Sequence, residues 1–173
     1  VLEFPLDAIL SKSSLIDNET KEKLKSEISS QIIPALTVEA EQVPISESSV
    51  LAVDWMNGRR TPDANQLLKG TITGLTLGSS APRIFRALVE ATAFGSRAIV
   101  ERMRAEGVRI DNVIGIGGIA LKSPFVMQTL SDVLNMPIKV CKTEQAPALG
   151  AAMFAATAAG VYPDIFAAKE AMN

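Results

Sequence analysis

The stretch Asn112-Val-Ile-Gly-Ile-Gly-Gly118, continued by Ile119-Ala-Leu-Lys-Ser-Pro124, decides the fold class of this chain. Residues 112–116 are mostly apolar and predict a short buried strand. A glycine pair ends this strand, and an amphipathic run begins just after it. Ser123 and Pro124 are the residue types preferred at the cap and the first position of a helix. The stretch therefore predicts a strand, a glycine turn and a helix in direct succession.

Glycines at a strand-to-helix turn let the backbone approach a flat or charged ligand closely. In open α/β sheets, ligands bind outside the carboxyl ends of the strands. The stretch thus has the local geometry of a nucleotide site. It lacks the third glycine of the dinucleotide fingerprint and the Gly-Lys-Ser/Thr of a phosphate loop, so an ordinary tight turn is the competing interpretation.

Hydrophobic periodicity predicts strands and helices in alternation on both sides of this stretch. The strands are 50–54, 112–116 and 138–140, and the helices are 18–33 (ended by Pro34), 65–69, 81–105, 124–135, 146–159 and 164–172. Such alternation is typical of an α/β fold, and we expect a short, mainly parallel sheet flanked by helices. Arg86 and Glu90, one turn apart in the long helix, predict an intrahelical ion pair.

The beginning of the chain differs from the rest. Residues 1–49 are more polar and less regular, and residues 40–49, with one proline and three serines, predict a linker or surface loop. We therefore expect a helical lead-in and linker over residues 1–49 and a domain over residues 50–173. Because the chain opens with Val1 rather than Met, we also expect a fragment of a longer protein.

The composition argues against several classes of function. The chain has 173 residues, is 47% hydrophobic and carries a formal net charge of −2, so it offers no basic field for nucleic acid. No apolar run approaches the ~20 residues of a membrane helix. The absence of histidine removes Ser-His-Asp triads and His-based zinc sites. A single cysteine, Cys141, excludes an internal disulfide and fits a cytoplasmic location.

Five blocks of the sequence resemble, in the same order, the carboxy-terminal domain of the FGGY carbohydrate kinases. They are Asp54–Pro62 (Asp-Trp-Met-Asn-Gly-Arg-Arg-Thr-Pro), Gly74–Leu77, Arg86–Arg97, Gly117–Gln128 and Gln145–Ala152. Five blocks in order are far more specific than any one of them. The first and last blocks are most similar to the ribulokinase branch, and the xylulokinase and glycerol kinase branches are the alternative.

The resemblance implies an actin-like ATPase (ribonuclease H-like) fold, in which two domains face each other across a cleft that holds sugar and ATP. It also implies that the glycine turn forms the adenosine pocket. The backbone ledge beside adenine and ribose would consist of Gly117, Gly118, Ile119 and Ala120. Ser123 would lie near the amino edge of adenine, with Lys122 as the alternative for that position.

The resemblance further implies which parts this chain lacks. The catalytic aspartate, the phosphate-binding loops and the Mg²⁺ carboxylate would lie before Val1, in an amino-terminal kinase domain. We therefore expect no catalytic or metal-binding residue in this chain, and no catalysis by it alone. ATP and Mg²⁺ would be the cofactors, and we expect a homo-oligomer without a nucleic-acid or membrane partner.

A polar segment after the first predicted strand is the second candidate site. It contains Asp54, Trp55, Asn57, Arg59 and Arg60. Asp54 could contact the sugar or the other domain, although capping the turn at Asn57-Gly58 is the simpler role. The two arginines could face phosphate, for which their forked side chains are suited, or form salt bridges with the other domain. Trp55 fits packing at that boundary better than stacking on sugar.

For the complete protein, the resemblance implies ATP-dependent phosphorylation of L-ribulose to L-ribulose 5-phosphate, in arabinose catabolism. A non-catalytic module that senses nucleotide or sugar on the same fold is the alternative. The two differ in whether the catalytic aspartate is present upstream.

Overall fold

The computed structural model describes residues 3–45 and 50–172, so part of the predicted linker, residues 46–49, lies outside the described residues. The chain divides into two compact units, residues 1–92 and 93–173. The domain boundary expected at residue 50 stays a prediction. None of the described helices is long and apolar enough to cross a membrane.

The first unit contains two helices, a pair of short strands and the first half of a long helix. These elements are α1 (Glu3–Lys12), α2 (Asn18–Glu41), β1 (Leu51–Val53), β2 (Thr71–Thr73) and α3 (Ala81–Ala105), which continues into the second unit. The second unit alternates strands and helices: β3 (Val113–Gly115), α4 (Gly118–Lys122), α5 (Pro124–Leu134), β4 (Ile138–Val140), α6 (Ala146–Ala158) and α7 (Ile165–Met172).

The strands form two separate pairs. β3 and β4 are parallel, with Val113 opposite Ile138, as the strand–helix alternation predicts. β1 and β2 are antiparallel, with Leu51 opposite Thr73, so only one of the two pairs in the described residues is parallel. Because β2 has only three residues and a glycine on each side, it carries no periodic signal and was not predicted.

Helix α2 is longer than predicted, because Pro34 lies inside it and does not end it. A proline in a helix interior removes one backbone donor and costs about 3 kcal/mol. Here the helix end beyond the proline is held by a distant contact. The Arg86 guanidinium donates through Nη1 to the carbonyls of Ala40 (3.2 Å) and Val43 (2.6 Å), and Ala40 is fully buried. This anchor favours continuation of the helix to Glu41.

The short helix predicted over residues 65–69 is wrong. The backbones of Arg59 and Asn65 exchange two hydrogen bonds, of 2.9 and 2.8 Å. The Asn65 side chain accepts a further bond from the Leu67 amide at 2.9 Å. An asparagine that binds the backbone two residues further on stabilises a turn and competes with helix formation.

Few apolar side chains of the described residues are buried, and most of these are small. They are Ala40, Val50, Ala87 and Ala91 in the first unit and Ala93, Phe125, Leu134 and Ala168 in the second. Arg86 is buried with them and pairs with Glu90 at 2.8 Å, which confirms the predicted intrahelical ion pair.

Candidate functional site

The glycine turn between β3 and α4 contains three glycines with three different roles. A Cβ on Gly115 would lie 2.7 Å from Met127 Cε, so this glycine allows α5 to pack against β3. Gly117 has φ +90°, a conformation that side chains with a Cβ rarely adopt. A Cβ on Gly118 would meet nothing within 4 Å, and its φ is not positive. Neither packing nor backbone conformation therefore requires glycine at position 118.

The other two ledge residues, Ile119 and Ala120, lie in different environments. The Ile119 side chain is 69% exposed, and the side chains of Ile114 and Ile116 are also exposed beside the turn. Ala120 is half-buried, with its Cβ 3.4 Å from the position that a Gly115 Cβ would occupy. Gly118 thus leaves its backbone open, and Ile119 adds an exposed apolar side chain, whereas Ala120 faces the strand.

Ser123 joins α4 to α5. Its amide donates to the Ile119 carbonyl at 3.0 Å, and its hydroxyl oxygen accepts from the Val126 amide at 3.4 Å. This is the predicted helix cap, with Pro124 at the first helical position. The hydroxyl hydrogen has no acceptor among the described residues, so Ser123 can cap the helix and still donate to a ligand. Lys122 is exposed at the end of α4.

The polar loop, residues 54–66, lies in the first unit and is held by its own backbone. The Met56 amide donates to the Asp54 carbonyl at 2.7 Å, and the Gly58 amide donates to the Trp55 carbonyl at 3.2 Å. Gly58 has φ +76°, and a Cβ there would lie 2.6 Å from the Gln66 Cα. The turn predicted at Asn57-Gly58 is therefore present, and its geometry requires glycine at position 58.

The two arginines of the polar loop differ. Arg59 lies over the Trp55 ring, 5.3 Å from its centroid, and donates through Nη2 to the Asp63 carbonyl at 3.2 Å. Arg60 is exposed and makes no hydrogen bond or ion pair with any described residue. Arg59 is therefore committed to shaping the loop, whereas Arg60 is available to an external group. Asn57 is exposed at the tip of the turn.

The Asp54 carboxylate does not cap the turn, because the bonds that close it are made by backbone atoms alone. Its Oδ2 instead accepts from the Thr92 hydroxyl on α3 at 3.3 Å. Sequence reasoning missed this contact, since Thr92 lies 38 residues further along the chain and no local pattern connects it to Asp54.

No group of three or more acidic, cysteine or histidine side chains in residues 3–45 and 50–172 could hold a metal ion. The described residues thus offer two features: an open glycine ledge with a capping serine in the second unit, and a rigid polar loop in the first. The first is suited to a flat, largely apolar ligand, and the second to a polar one.

Residues 10–159 match the FGGY family of carbohydrate kinases, C-terminal domain. The chain is 53% identical to a ribulokinase of Vibrio parahaemolyticus over 84% of its length and 26% of the relative's. It is 48% identical to a ribulokinase of Bacillus licheniformis over 75% of its length and 23% of the relative's. The chain thus spans about a quarter of the length of the curated relatives that it matches.

Solved structures of sugar kinases share the fold. A Plasmodium falciparum glycerol kinase with ADP superposes with a TM-score of 0.67 at 25% identity, over 85% of this chain and 30% of the other. A Lactobacillus acidophilus gluconate kinase does so with a TM-score of 0.68 at 22% identity, over 92% of this chain and 30% of the other. The predicted actin-like ATPase fold is confirmed, and the chain belongs to the FGGY family of carbohydrate kinases.

Proposed function

We propose that the chain is the adenosine-binding, carboxy-terminal part of an ATP-dependent L-ribulokinase, which converts L-ribulose to L-ribulose 5-phosphate in arabinose catabolism. The observation that carries the sugar assignment is the 53% and 48% identity to two proteins that are both named ribulokinase. Such identity over most of the chain favours the ribulokinase branch over the xylulokinase and glycerol kinase branches. The single cysteine and the balanced charge fit a cytoplasmic enzyme.

The adenosine site of this proposal is the glycine turn. Its ledge consists of Gly117, Gly118, Ile119 and Ala120, with Ser123 beside it. Open space at Gly118 leaves room for a base or ribose to lie against the backbone, and the exposed Ile119 side chain supplies apolar contact. The unused hydroxyl hydrogen of Ser123 is available to a ring nitrogen of adenine.

The role of these residues in phosphoryl transfer is to hold one end of the nucleotide, so that its terminal phosphate is positioned toward the acceptor hydroxyl. Transfer of this kind depends mostly on positioning and on stabilisation of charge. Mg²⁺ bound to ATP would neutralise charge on the phosphates. We assign the metal ligands and the catalytic base to the rest of the enzyme, as the resemblance to the carbohydrate kinases implies.

The sugar assignment is tested by assaying the full-length enzyme with ATP against L-ribulose, xylulose and glycerol. We expect the highest kcat/KM with L-ribulose. Preference for another acceptor would contradict the assignment of L-ribulose as the substrate but not the assignment of the fold. If no acceptor were phosphorylated, a sensing module would be favoured.

The adenosine assignment is tested with Gly118→Ala and Gly118→Val in the full-length enzyme. We expect the KM for ATP to rise with side-chain size, because a larger group fills the space left for the nucleotide. The matched control is Gly95→Ala, since Gly95 also has an open Cβ position and ordinary backbone but lies within α3. An unchanged KM for ATP in Gly118→Val would contradict the site.

A further inference from the structure

The Asp54 carboxylate does not cap the turn at Asn57-Gly58, although its position in the sequence suggests that role. It follows β1 directly, its side chain is exposed, and the adjoining turn is closed without it. Oδ2 accepts from Thr92, whereas Oδ1 has no hydrogen-bond partner among the described residues. A carboxylate with one occupied and one open oxygen is arranged to receive a donor from outside.

The Thr92 hydroxyl restrains the Oδ2 atom of Asp54. Its single hydrogen is shared between two acceptors, Asp54 Oδ2 at 3.3 Å and the Leu88 carbonyl, one turn earlier in α3, at 3.1 Å. A threonine in a helix has few χ1 rotamers, and the contact with the preceding turn selects among them. The hydroxyl is therefore held by a rigid helix, and the carboxylate is tied through it to that helix.

The Oδ1 atom of Asp54 favours a neutral hydrogen-bond donor over an anion. A carboxylate repels phosphate, but it accepts strong, charge-assisted hydrogen bonds from hydroxyl groups. The neighbouring guanidinium of Arg59 does not compete for it, since this group is engaged with Trp55 and the Asp63 carbonyl. A sugar with several hydroxyls is the chemistry that this geometry fits.

We propose that Thr92 is a positioning residue, which orients the Asp54 carboxylate to accept a hydrogen bond from a hydroxyl of the ketose substrate. This inference rests on the proposed function, and it adds a residue through which the enzyme distinguishes its acceptor. Asp54 contacts the sugar, and Thr92 acts on the sugar through Asp54.

The test uses Thr92→Val and Thr92→Ser in the full-length enzyme. Valine keeps the shape of threonine but removes the hydroxyl, whereas serine keeps the hydroxyl. We expect Thr92→Val to raise the KM for L-ribulose about 5-fold, with the KM for ATP unchanged, because a hydrogen bond to a charged group loses its donor. Thr92→Ser should restore the wild-type value.

Two further variants separate positioning from general stability. Thr37→Val is the matched control, since Thr37 also donates to the carbonyl one turn earlier (Ile33, 2.8 Å) but contacts no carboxylate, and it should leave both KM values unchanged. Asp54→Asn should raise the ketose KM more than Thr92→Val does. Adding Thr92→Val to Asp54→Ala, which removes the acceptor, should then change nothing further.

Equal KM shifts in the valine and serine variants at position 92 would overturn the proposal. It would also be overturned if the effects of Thr92→Val and Asp54→Ala on the ketose KM multiplied in the double variant. Should Thr92→Val fold poorly, Asp54→Asn alone decides, because an unchanged ketose KM in that variant also refutes it. The wild-type assay is made first: an enzyme without ketose kinase activity refutes the proposed function, whereas an active enzyme indifferent to these variants refutes only this inference.

Discussion

At the scale of single residues, side chains of the same type differ in what they do. Gly117 and Gly118 are adjacent, yet only Gly117 has a positive φ. A Cβ at position 117 would therefore strain the backbone, whereas a Cβ at position 118 would only occupy open space that a ligand could fill. Arginines differ in the same way. Arg86 is buried and donates to carbonyls at and just beyond the end of α2, whereas Arg60 is exposed with no partner among the described residues.

The two glycines should respond differently to alanine. Gly117→Ala places a Cβ on a backbone with φ +90°, which costs about 1–3 kcal/mol of folding stability. Gly118→Ala should be neutral or stabilise by up to about 1 kcal/mol, because alanine is the better helix former and its Cβ meets open space. Urea unfolding of the two variants measures this difference. Equal destabilisation by both would contradict the assigned roles.

Arg86 should contribute more to stability than any exposed ion pair. The side chains of Arg86 and Glu90 are only 10% and 17% exposed, and Arg86 also serves the carbonyls of Ala40 and Val43. Arg86→Met leaves the Glu90 charge and two carbonyls without their partner, so we expect a loss of about 3 kcal/mol.

The matched control for Arg86 is Lys23→Met. Lys23 and Glu19 form an ion pair with the same spacing in the same unit, but their side chains are 74% and 77% exposed. Removing such a pair should cost less than about 0.5 kcal/mol. Thermal unfolding of both variants gives the comparison, and similar losses would show that the buried network adds nothing.

At the scale of elements, local signals set where helices begin, and distant contacts set where some of them end. α5 begins at the predicted serine cap and proline, and α3 has the predicted bounds, Ala81–Ala105. α2 begins one residue after Asp17, whose side chain accepts from the Thr20 amide and hydroxyl, each at 2.9 Å. Its other end continues past Pro34 to the carbonyls that Arg86 holds.

The cap at the start of α2 should make that helix end sensitive to acid. The backbone hydrogen bond from Thr20, followed by the bond from its hydroxyl, lowers the pKa of Asp17 below its ordinary value of 3.8. A lowered pKa in the folded state means that the stabilisation is complete above the ordinary value and is lost as pH falls through the folded value.

We therefore expect the Thr20 amide to exchange faster with solvent as the pH falls below 3.8 and through the lowered pKa of Asp17, because protonation of this carboxylate weakens the cap. Amide hydrogen exchange followed by NMR between pH 2 and pH 6, corrected for intrinsic rates, measures the effect. In Asp17→Asn, which caps without titrating, protection should not depend on pH. The same acid response in both forms would assign it to another group.

At the scale of the whole chain, few large apolar side chains of the described residues are buried. α6 is apolar on all sides, as is typical of a helix in a protein interior, yet it contains no buried residue. Phe154 in this helix and Phe166 in α7 are 66% and 75% exposed. Exposed apolar surface of this extent is a site of association.

The 173-residue chain on its own should therefore self-associate. We expect light scattering to give a mass above the monomer value of 18.4 kDa, rising with protein concentration. Phe154→Ser should shift the distribution toward monomer, whereas Thr37→Ser, a change on α2, should not. A monomer at all concentrations in the unmodified chain would contradict the expectation.

The sequence alone predicted much of the second unit, because its signals act over a few residues. Strand periodicity, the glycine turn, the Ser123-Pro124 helix start and the bounds of α3 and β4 all follow from neighbours in the chain. The ordered blocks also predicted the family and the actin-like fold. The ledge and loop residues were predicted from the same blocks, and their binding roles remain proposals.

Only the tertiary structure decided the features that depend on partners far apart in sequence. The hydrogen bond from Arg86 to Ala40 spans 46 residues, and it holds the end of α2, which continues beyond Pro34. The bond between Thr92 and Asp54 spans 38 residues and joins an exposed carboxylate to α3. The antiparallel pairing of β1 with β2 likewise joins a predicted strand to a segment that carries no periodic signal of its own. Such contacts form only when folding brings distant segments together, so no local pattern of residues records them.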